Sequence, residues 1–345
     1  MGYYSERPPP HGHRSPSELI ENGLIPAQRA RTAQTRAATA FSTGFRHLAS
    51  GQPFNLLLAI ENDNNALVAI RVANELTTRG AVPRVINVTR ALTPPLASPS
   101  AQSYSDAILG EDFHRNRCSL LQELISTAVG DGTDWPIESV VGDPATKILE
   151  AAAADDSELI VIGINRHGLV AQAMGQNTAT RVMGRGSVPV LGVRPGMTSR
   201  QKLIMVATDF GESCRQAAHI AANLLEPYGR LVLVYVSPSS PTPDDVPERP
   251  ASAGDESVAD GFLRLSEDIR AAKSIDVESM HRIGDPVEEL LAAAEVVAPD
   301  LIAIGSERRD RASRLPLDSL TRTLILDGRW PMLVTPPPLI DTSSE

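Results

Sequence analysis

The second half of this 345-residue sequence repeats the first half, and this duplication limits the folds open to the chain more than any other feature. The triplet Gly-Asp-Pro at 142–144 returns at 284–286. The apolar run Leu-Ile-Val-Ile-Gly at 159–163 returns as Leu-Ile-Ala-Ile-Gly at 301–305, again at an offset of 142 residues. A fixed internal period indicates one structural unit that is used twice.

The beginnings of the two units also match, but at an offset of 148 residues. Residues 56–61 align with 204–209, and residues 85–88 align with 233–236. The change of offset falls in a segment that is rich in proline, serine and alanine in both halves. Loops absorb such differences of length, whereas packed elements do not.

We therefore predict two domains, at 53–196 and at 199–338, each long enough to bury a core of its own. Residues 1–52 lack the repeated pattern, and we expect them to form a disordered or extended N-terminal tail. Residues 339–345 form a short C-terminal tail. Because aromatic residues make up only 4% of the chain, the cores must be built from aliphatic side chains.

Short apolar runs alternate with amphipathic stretches within each unit, which is typical of strands and helices in alternation. In the second half we predict strands at 202–207, 231–236, 277–283, 301–305 and 332–335. We predict helices after Asp209 (capped by Asp209 or Ser213), at 258–272, at 286–297 and at about 317–326. Such alternation favours a doubly wound, parallel, five-stranded sheet in each half. Ligands of such sheets bind at the carboxyl ends of the strands, where the strand order reverses.

Composition argues against several classes of function. The net charge is −10 and no basic stripe is present, which disfavours nucleic-acid binding because that function requires neutralised phosphates. No run approaches the ~20 apolar residues of a membrane span. Cys118 and Cys214 have no CxxC partner, so we expect reduced thiols and a cytoplasmic protein. No Cys/His spacing typical of a metal site occurs.

Four segments of the second half occur in a characteristic order: Ala-Thr-Asp-Phe at 207–210, Gly-Asp-Pro at 284–286, Leu-Ile-Ala-Ile-Gly-Ser at 301–306 and Pro-Met-Leu-Val at 331–334. Together with their counterparts in the first half, they resemble the universal stress protein family. The resemblance implies a Rossmann-like domain of the adenine nucleotide alpha hydrolase type, present twice. It also implies a stress-response binding module rather than an enzyme.

The resemblance further implies self-association through the last strand of each domain, which in this family pairs domains across a two-fold axis. Here the two last strands, at 188–193 and 332–335, are expected to pair with each other. That pairing would make the chain an intramolecular pseudo-dimer and would cover two exposed sheet edges at once. A homodimer of whole chains stays open.

The ATP-binding members of the family carry Gly-x-x-Gly, then nine residues, then Gly-Ser or Gly-Thr, because glycines let backbone amides approach phosphates. The four positions hold Gly163, Arg166, Gln176 and Asn177 in the first half, and Gly305, Arg308, Asp318 and Ser319 in the second. The first glycine is thus kept twice, and the second and third are replaced. An arginine at the second position either blocks the pocket or contacts a phosphate. The carboxylate at 318 opposes a triphosphate by like-charge repulsion.

The nucleoside end is better kept in the second half, because Asp209 matches the family's aspartate and Glu61 replaces it in the first half. The resemblance therefore implies one crevice in each half, with the second better suited to an adenine nucleotide, ATP or AMP. The candidate binding residues are Ala207, Asp209, Val236, Ile304, Gly305, Ser306, Arg308 and Ser319, with Glu61, Val88, Gly163, Arg166 and Asn177 as counterparts in the first half. The alternative is a scaffold or interaction protein with closed pockets that binds no nucleotide, and the lost glycines favour it.

Overall fold

The computed structural model describes residue 47 and residues 52–61, 65–90, 110–164, 178–198, 200–239, 257–306, 319–327 and 329–337. The chain divides into residues 1–40, which lie outside these ranges, and residues 41–345, which contain every element described below. The two predicted tails, at 1–52 and 339–345, lie outside the described residues except for His47 and Gln52.

Ten strands of the described residues form one sheet, five from each half of the chain. Those of the first half are β1 (Phe54–Ala59), β2 (Ala81–Arg90), β3 (Ile137–Gly142), β4 (Leu159–Gly163) and β5 (Val190–Val193). Those of the second half are β6 (Gln201–Ala207), β7 (Leu225–Ser237), β8 (Asp276–Ile283), β9 (Leu301–Gly305) and β10 (Met332–Thr335). The order is β3-β2-β1-β4-β5-β10-β9-β6-β7-β8. Every neighbouring pair is parallel except β5 and β10, which are antiparallel. The parallel, doubly wound arrangement predicted for each half is confirmed.

Eight helices of the described residues cover the two faces of this sheet. They are α1 (Ala66–Thr77), α2 (Glu111–Val129), α3 (Pro144–Ala154), α4 (Thr178–Arg185), α5 (Glu212–Leu224), α6 (Val258–Ala272), α7 (Pro286–Val297) and α8 (Ser319–Asp327). Helices α1, α2, α5 and α6 contribute to the core on one face, and α3, α4, α7 and α8 contribute to the core on the other.

Strand β1 shows why the strands are apolar without alternation. Leu56 and Leu58 belong to the core on one face, and Leu57 and Ala59 belong to the core on the opposite face. Successive side chains of a strand point to opposite faces, so a strand with helices on both sides must be apolar at every position. The cores are aliphatic, as the low aromatic content predicts.

The two Gly-Asp-Pro triplets start helices α3 and α7. The Asp143 carboxylate accepts a hydrogen bond from the Thr146 amide at 3.0 Å, and the Asp285 carboxylate accepts one from the Val287 amide at 2.9 Å. In both triplets the proline is the first helical residue, where its missing amide hydrogen is not needed. The repeated triplet is therefore an N-terminal capping motif.

Two sequence predictions near α5 are wrong. The N-cap of α5 is Gly211 rather than Asp209 or Ser213, because the Asp209 carboxylate instead turns to accept the Gly211 amide at 2.7 Å. Strand β7 begins at Leu225 and not at residue 231. Its first part contains an irregular pairing with β6, and Tyr228 there has a φ of +65° and points into solvent. The proline and glycine that flank Tyr228 predict a break, whereas the structure places a bulge within the strand.

The two halves meet at β5 and β10, where Gly192 lies opposite Met332. The buried Arg194 side chain, which follows β5, donates from Nε to the Trp330 carbonyl at 2.9 Å and from Nη2 to the Ile325 carbonyl at 3.0 Å. The guanidinium thus binds the carboxyl end of α8 in the other half. Description of the chain as a pseudo-dimer, and its self-association with a second chain, remain predictions.

Strand order reverses at two places, between β1 and β4 in the first half and between β6 and β9 in the second. At each place the helices leave the sheet toward opposite faces, which opens a crevice at the carboxyl ends of the strands. None of the helices within the described ranges combines the length and apolar character needed to cross a bilayer.

Candidate functional site

The described residues form a cleft at the carboxyl ends of β1, β2 and β4, and we call it the first-half cavity. Three of the predicted residues, Glu61, Val88 and Gly163, line it together. The enclosed part of the cleft has a volume of about 40 Å³, which is room for a few waters, and it opens into a wider mouth. A small molecule would therefore place an edge in the depth and most of its atoms in the mouth.

The depth of the first-half cavity is apolar and its mouth is polar. Ala59, Ile86 and Ile162 come from the strands, and Ile148 comes from α3. Glu61, which is exposed, contributes a carboxylate where β1 ends. The arrangement suits a ligand with a flat apolar part and with hydroxyl or amine donors at its rim.

A close approach between α1 and β4 shapes the same cavity. A Cβ atom on Gly163 would lie 2.7 Å from the Cβ of Asn65, so that only glycine lets the start of α1 come this near the strand. The adjacent lining residue is Ala66, the first residue of α1. Because its side chain is a single methyl group, space remains between the ends of β1 and β4.

In the second half the start of α5 lies against β9, where a Cβ atom on Gly305 would lie 2.5 Å from the Cys214 amide nitrogen. Position 214 aligns with Ala66 at the offset of 148 residues. The thiol is 5% exposed and interacts with Asp209 and with the backbone of Gly305, so it lies between the ends of β6 and β9. Burial, followed by the negative charge of Asp209, raises the pKa of the Cys214 thiol far above its ordinary value. Such a thiol fills space and does not act as a nucleophile at neutral pH.

Aromatic packing holds the turn after β6. Phe210 adopts a φ of +63° and stacks on Tyr235, with ring centroids 5.0 Å apart and an interplanar angle of 22°. Phe262 packs edge-on against the Phe210 ring, with ring centroids 5.2 Å apart. A Cβ atom on Gly261 would come within 2.8 Å of the Phe210 ring, so the glycine leaves room for it. This packing offsets the strain of the left-handed backbone and fixes the Asp209 carboxylate against Gly211.

The universal stress protein family model matches the chain twice, at residues 54–194 and 201–336. The chain belongs to the universal stress protein family. Both halves carry the match, which leaves the N-terminal 53 residues outside it.

Solved structures of universal stress proteins have the same fold. A universal stress protein from Archaeoglobus fulgidus DSM 4304 is 19% identical, with a TM-score of 0.63, and the match covers 84% of this chain and 98% of that one. A putative universal stress protein from Pseudomonas aeruginosa UCBPP-PA14 is 14% identical, with a TM-score of 0.50, covering 84% and 95%. The search of curated proteins gives no match.

Several predicted residues of this universal stress protein lie at the carboxyl ends of the second-half strands. Ala207 and Ile304 are buried at the ends of β6 and β9, and Val236 is half-buried near the end of β7. Ser306 is buried, and its amide donates to the Thr335 carbonyl at 2.8 Å. Ser319 is the first residue of α8. The predictions for Arg166, Asn177 and Arg308 lie outside the described residues.

The preference for the second half over the first stays a prediction. Asp209 and Gly305 both interact with the Cys214 thiol. Sequence reasoning missed Ala66 and Cys214. Their alignment at the offset of the repeat was the available signal, since a larger side chain at the start of the first helix reduces the space beside it.

One ion pair joins the N-cap of α3 to α4, and both helices supply residues to the wall of the first-half cavity. Arg181 donates to Asp143 through both terminal nitrogens, from Nη1 to Oδ2 at 2.6 Å and from Nη2 to Oδ1 at 2.8 Å. These bonds are the largest cause that holds the pKa of Asp143 well below its usual range. In the part of the chain that is described, no three His, Cys, Asp or Glu side chains are grouped so that they could hold a metal ion.

Proposed function

We propose that this universal stress protein is a stress-response binding module that takes an adenine nucleotide, ATP or AMP, in the first-half cavity. The observation that carries the proposal is the first-half cavity beside Ala66, because the aligned residue in the second half is the larger, buried Cys214. The proposal includes no catalytic step, because the sequence has neither a Gly-x-x-x-x-Gly-Lys-[Ser/Thr] loop nor a recognisable base beside one.

The chemistry of the first-half cavity supports this ligand class. An adenine base has two flat apolar faces, which match walls made by Ile86 and Ile148. The Glu61 carboxylate is an acceptor at the mouth, where ribose hydroxyls can donate to it. The starts of α1, α3 and α4 supply residues to the wall, so three helix dipoles present their positive ends to a bound anion.

A scaffold role for the second half is the rival function, and the buried Cys214 favours it. In that case the second half contributes sheet surface and a docking partner for β5 rather than a ligand site. If the first-half cavity also binds no ligand, the whole chain has the scaffold role. Two free cysteines suit a reducing compartment, and we place the protein in the cytoplasm on that ground.

Titration calorimetry of the full chain with AMP, ATP and adenosine tests the proposal. Ala66→Leu adds three carbon atoms to the cavity wall and is expected to abolish binding. Cys214→Ala is the matched control, because it changes the aligned position in the other half and should leave the first-half affinity unchanged.

Two results contradict the proposal. Wild-type protein that gives no heat with any of the three ligands at millimolar concentration acts as a scaffold. Binding that is lost in Cys214→Ala but kept in Ala66→Leu places the ligand in the second half instead.

A further inference from the structure

The Asp143–Arg181 ion pair joins two helices that form part of the wall of the first-half cavity. Asp143 caps α3, and the next residue, Pro144, lines the cavity. Arg181 is in α4 two residues after Ala179, which lines the cavity as well. The pair thus joins two lining helices without being among the residues that line the cavity, and its side chains are 26% exposed for Arg181 and 42% exposed for Asp143.

The second half has the carboxylate of this pair but not the cation. Asp285 takes the place of Asp143 and caps α7 through the amides of Val287 and Glu288. At the offset of 142 residues, the counterpart of Arg181 is Thr323. A carboxylate at the start of a helix opposes a second anion there by repulsion and by occupying the amides. Within the described residues, a bidentate arginine neutralises the first-half carboxylate, whereas the residue aligned with that arginine in the second half is a threonine.

We infer that Arg181 determines the charge preference of the first-half cavity: by neutralising Asp143, it lets the cavity accept a ligand that carries a phosphate monoester. Arg181 is a positioning residue in this role, because its contact is with Asp143. Without the arginine, the uncompensated charge of Asp143, which adjoins the lining residue Pro144, repels an anionic ligand, whereas a neutral nucleoside is unaffected. The inference rests on the proposed function, since it concerns the same cavity.

Two single substitutions are expected to change the preference in opposite directions. Asp143→Asn removes the carboxylate but keeps a good helix cap, and it leaves the Arg181 charge unopposed. Arg181→Met keeps most of the aliphatic side chain and leaves the Asp143 charge unopposed. At several ångströms across a partly exposed mouth, one unit charge should change AMP affinity roughly fivefold at low salt. AMP should bind more tightly to Asp143→Asn and more weakly to Arg181→Met, and adenosine should bind equally to all forms.

The experiment is calorimetry of AMP and of adenosine with the full-length wild type, both variants and the matched control Asp285→Asn. The control removes the aligned carboxylate of the second half and should leave the ratio of AMP to adenosine affinity at its wild-type value. The effect should also shrink in 0.5 M salt, to roughly twofold or less, because the Debye length falls to a few ångströms. A purely structural role of the pair would change both ligands alike and would not depend on salt.

The outcomes separate this inference from the proposed function. If the ratio of AMP to adenosine affinity is unchanged in both Asp143→Asn and Arg181→Met, the inference is wrong. If adenosine still binds in that case, the proposed ligand site in the first-half cavity is not contradicted. A ratio that changes in the same direction in both variants also overturns it. If neither ligand binds the wild type, the proposed function and the inference are both wrong. Each variant alone shows whether the ratio of AMP to adenosine affinity rises or falls as expected, so the test can be made even if the other variant fails to fold.

Discussion

The sharpest test of the packing around the crevices compares the same substitution at two buried strand glycines. A Cβ atom on Gly305 would lie within 2.5 Å of the Cys214 amide nitrogen, which is backbone in the first turn of α5. A Cβ atom on Gly192 would meet the Ile164 Cγ1 at 2.6 Å and the Met183 Cε at 2.7 Å, which are side-chain atoms. Both substitutions overpack a core, but only the side-chain atoms can move by changing rotamer.

The expected magnitudes follow from this difference. Overpacking costs about 1–3 kcal/mol, and replacing glycine by alanine offsets about 0.5 kcal/mol through the unfolded chain. The backbone in the first turn of a helix cannot move aside by changing a rotamer. The cost of Gly305→Ala should therefore be near the upper end of the overpacking range, and the substitution should destabilise the protein by about 2.5 kcal/mol. The cost of Gly192→Ala should be near the lower end of that range, so that this substitution destabilises the protein by about 0.5 kcal/mol.

Urea unfolding of the full chain, followed by circular dichroism, gives the change in the free energy of unfolding for each variant. The comparison requires that the dependence of this free energy on urea concentration be the same as in the wild type. Equal destabilisation by the two substitutions would refute the reasoning, because it would mean that collision with backbone and collision with side-chain ends are equivalent here. A larger effect at Gly192 would refute it as well.

Two other predictions concern buried cations. Arg194→Met should destabilise the protein by about 2 kcal/mol in the same urea assay, because two buried carbonyls of the other half lose their charged donor, whereas Arg329→Met on the exposed surface should leave the midpoint near that of the wild type. Burial, and then the nearby Arg79, lower the pKa of Lys273 to about 8 from 10.5. Since the unfolded chain holds that proton more tightly, the contribution of Lys273 to stability should rise between about pH 8 and 10.5, and Lys273→Met should remove this rise from urea midpoints measured at pH 7.5 and 10.

Elements with strong local signals could be predicted from the sequence closely. The strands at 301–305 and 332–335 and the helices at 258–272 and 286–297 have the predicted bounds. An apolar run bounded by polar residues marks a buried strand, and the Asp-Pro start marks a helix with its first residue. The start of β7 near Tyr228 was predicted wrongly, because a proline and a glycine are as typical of a bulge within a strand as of a break before it.

The state of the candidate site could be predicted only in part, because it depends on distances between segments far apart in sequence. Glu61, Val88 and Gly163 follow strands that are neighbours in the sheet, so topology alone brings them to one cleft. Whether that cleft is open depends on the size of one side chain in the first turn of a helix. Cys214 looks like an ordinary helical residue in the sequence, and only the packed structure sets it between Asp209 and Gly305.

The two halves differ near the starts of their helices, which shows how a duplicated fold can diverge while its sheet is kept. Ala66 is the first residue of α1 and Cys214 is the third of α5, whereas Arg181 and Thr323 are the fourth and fifth residues of α4 and α8. The strands beneath them keep the same apolar layers and the same order about the centre of the sheet. Because those apolar layers stay intact, changes near the helix starts alter the volume and charge of a crevice at small cost to folding. Selection on ligand binding can therefore act on one half while the other half keeps its role in the shared sheet.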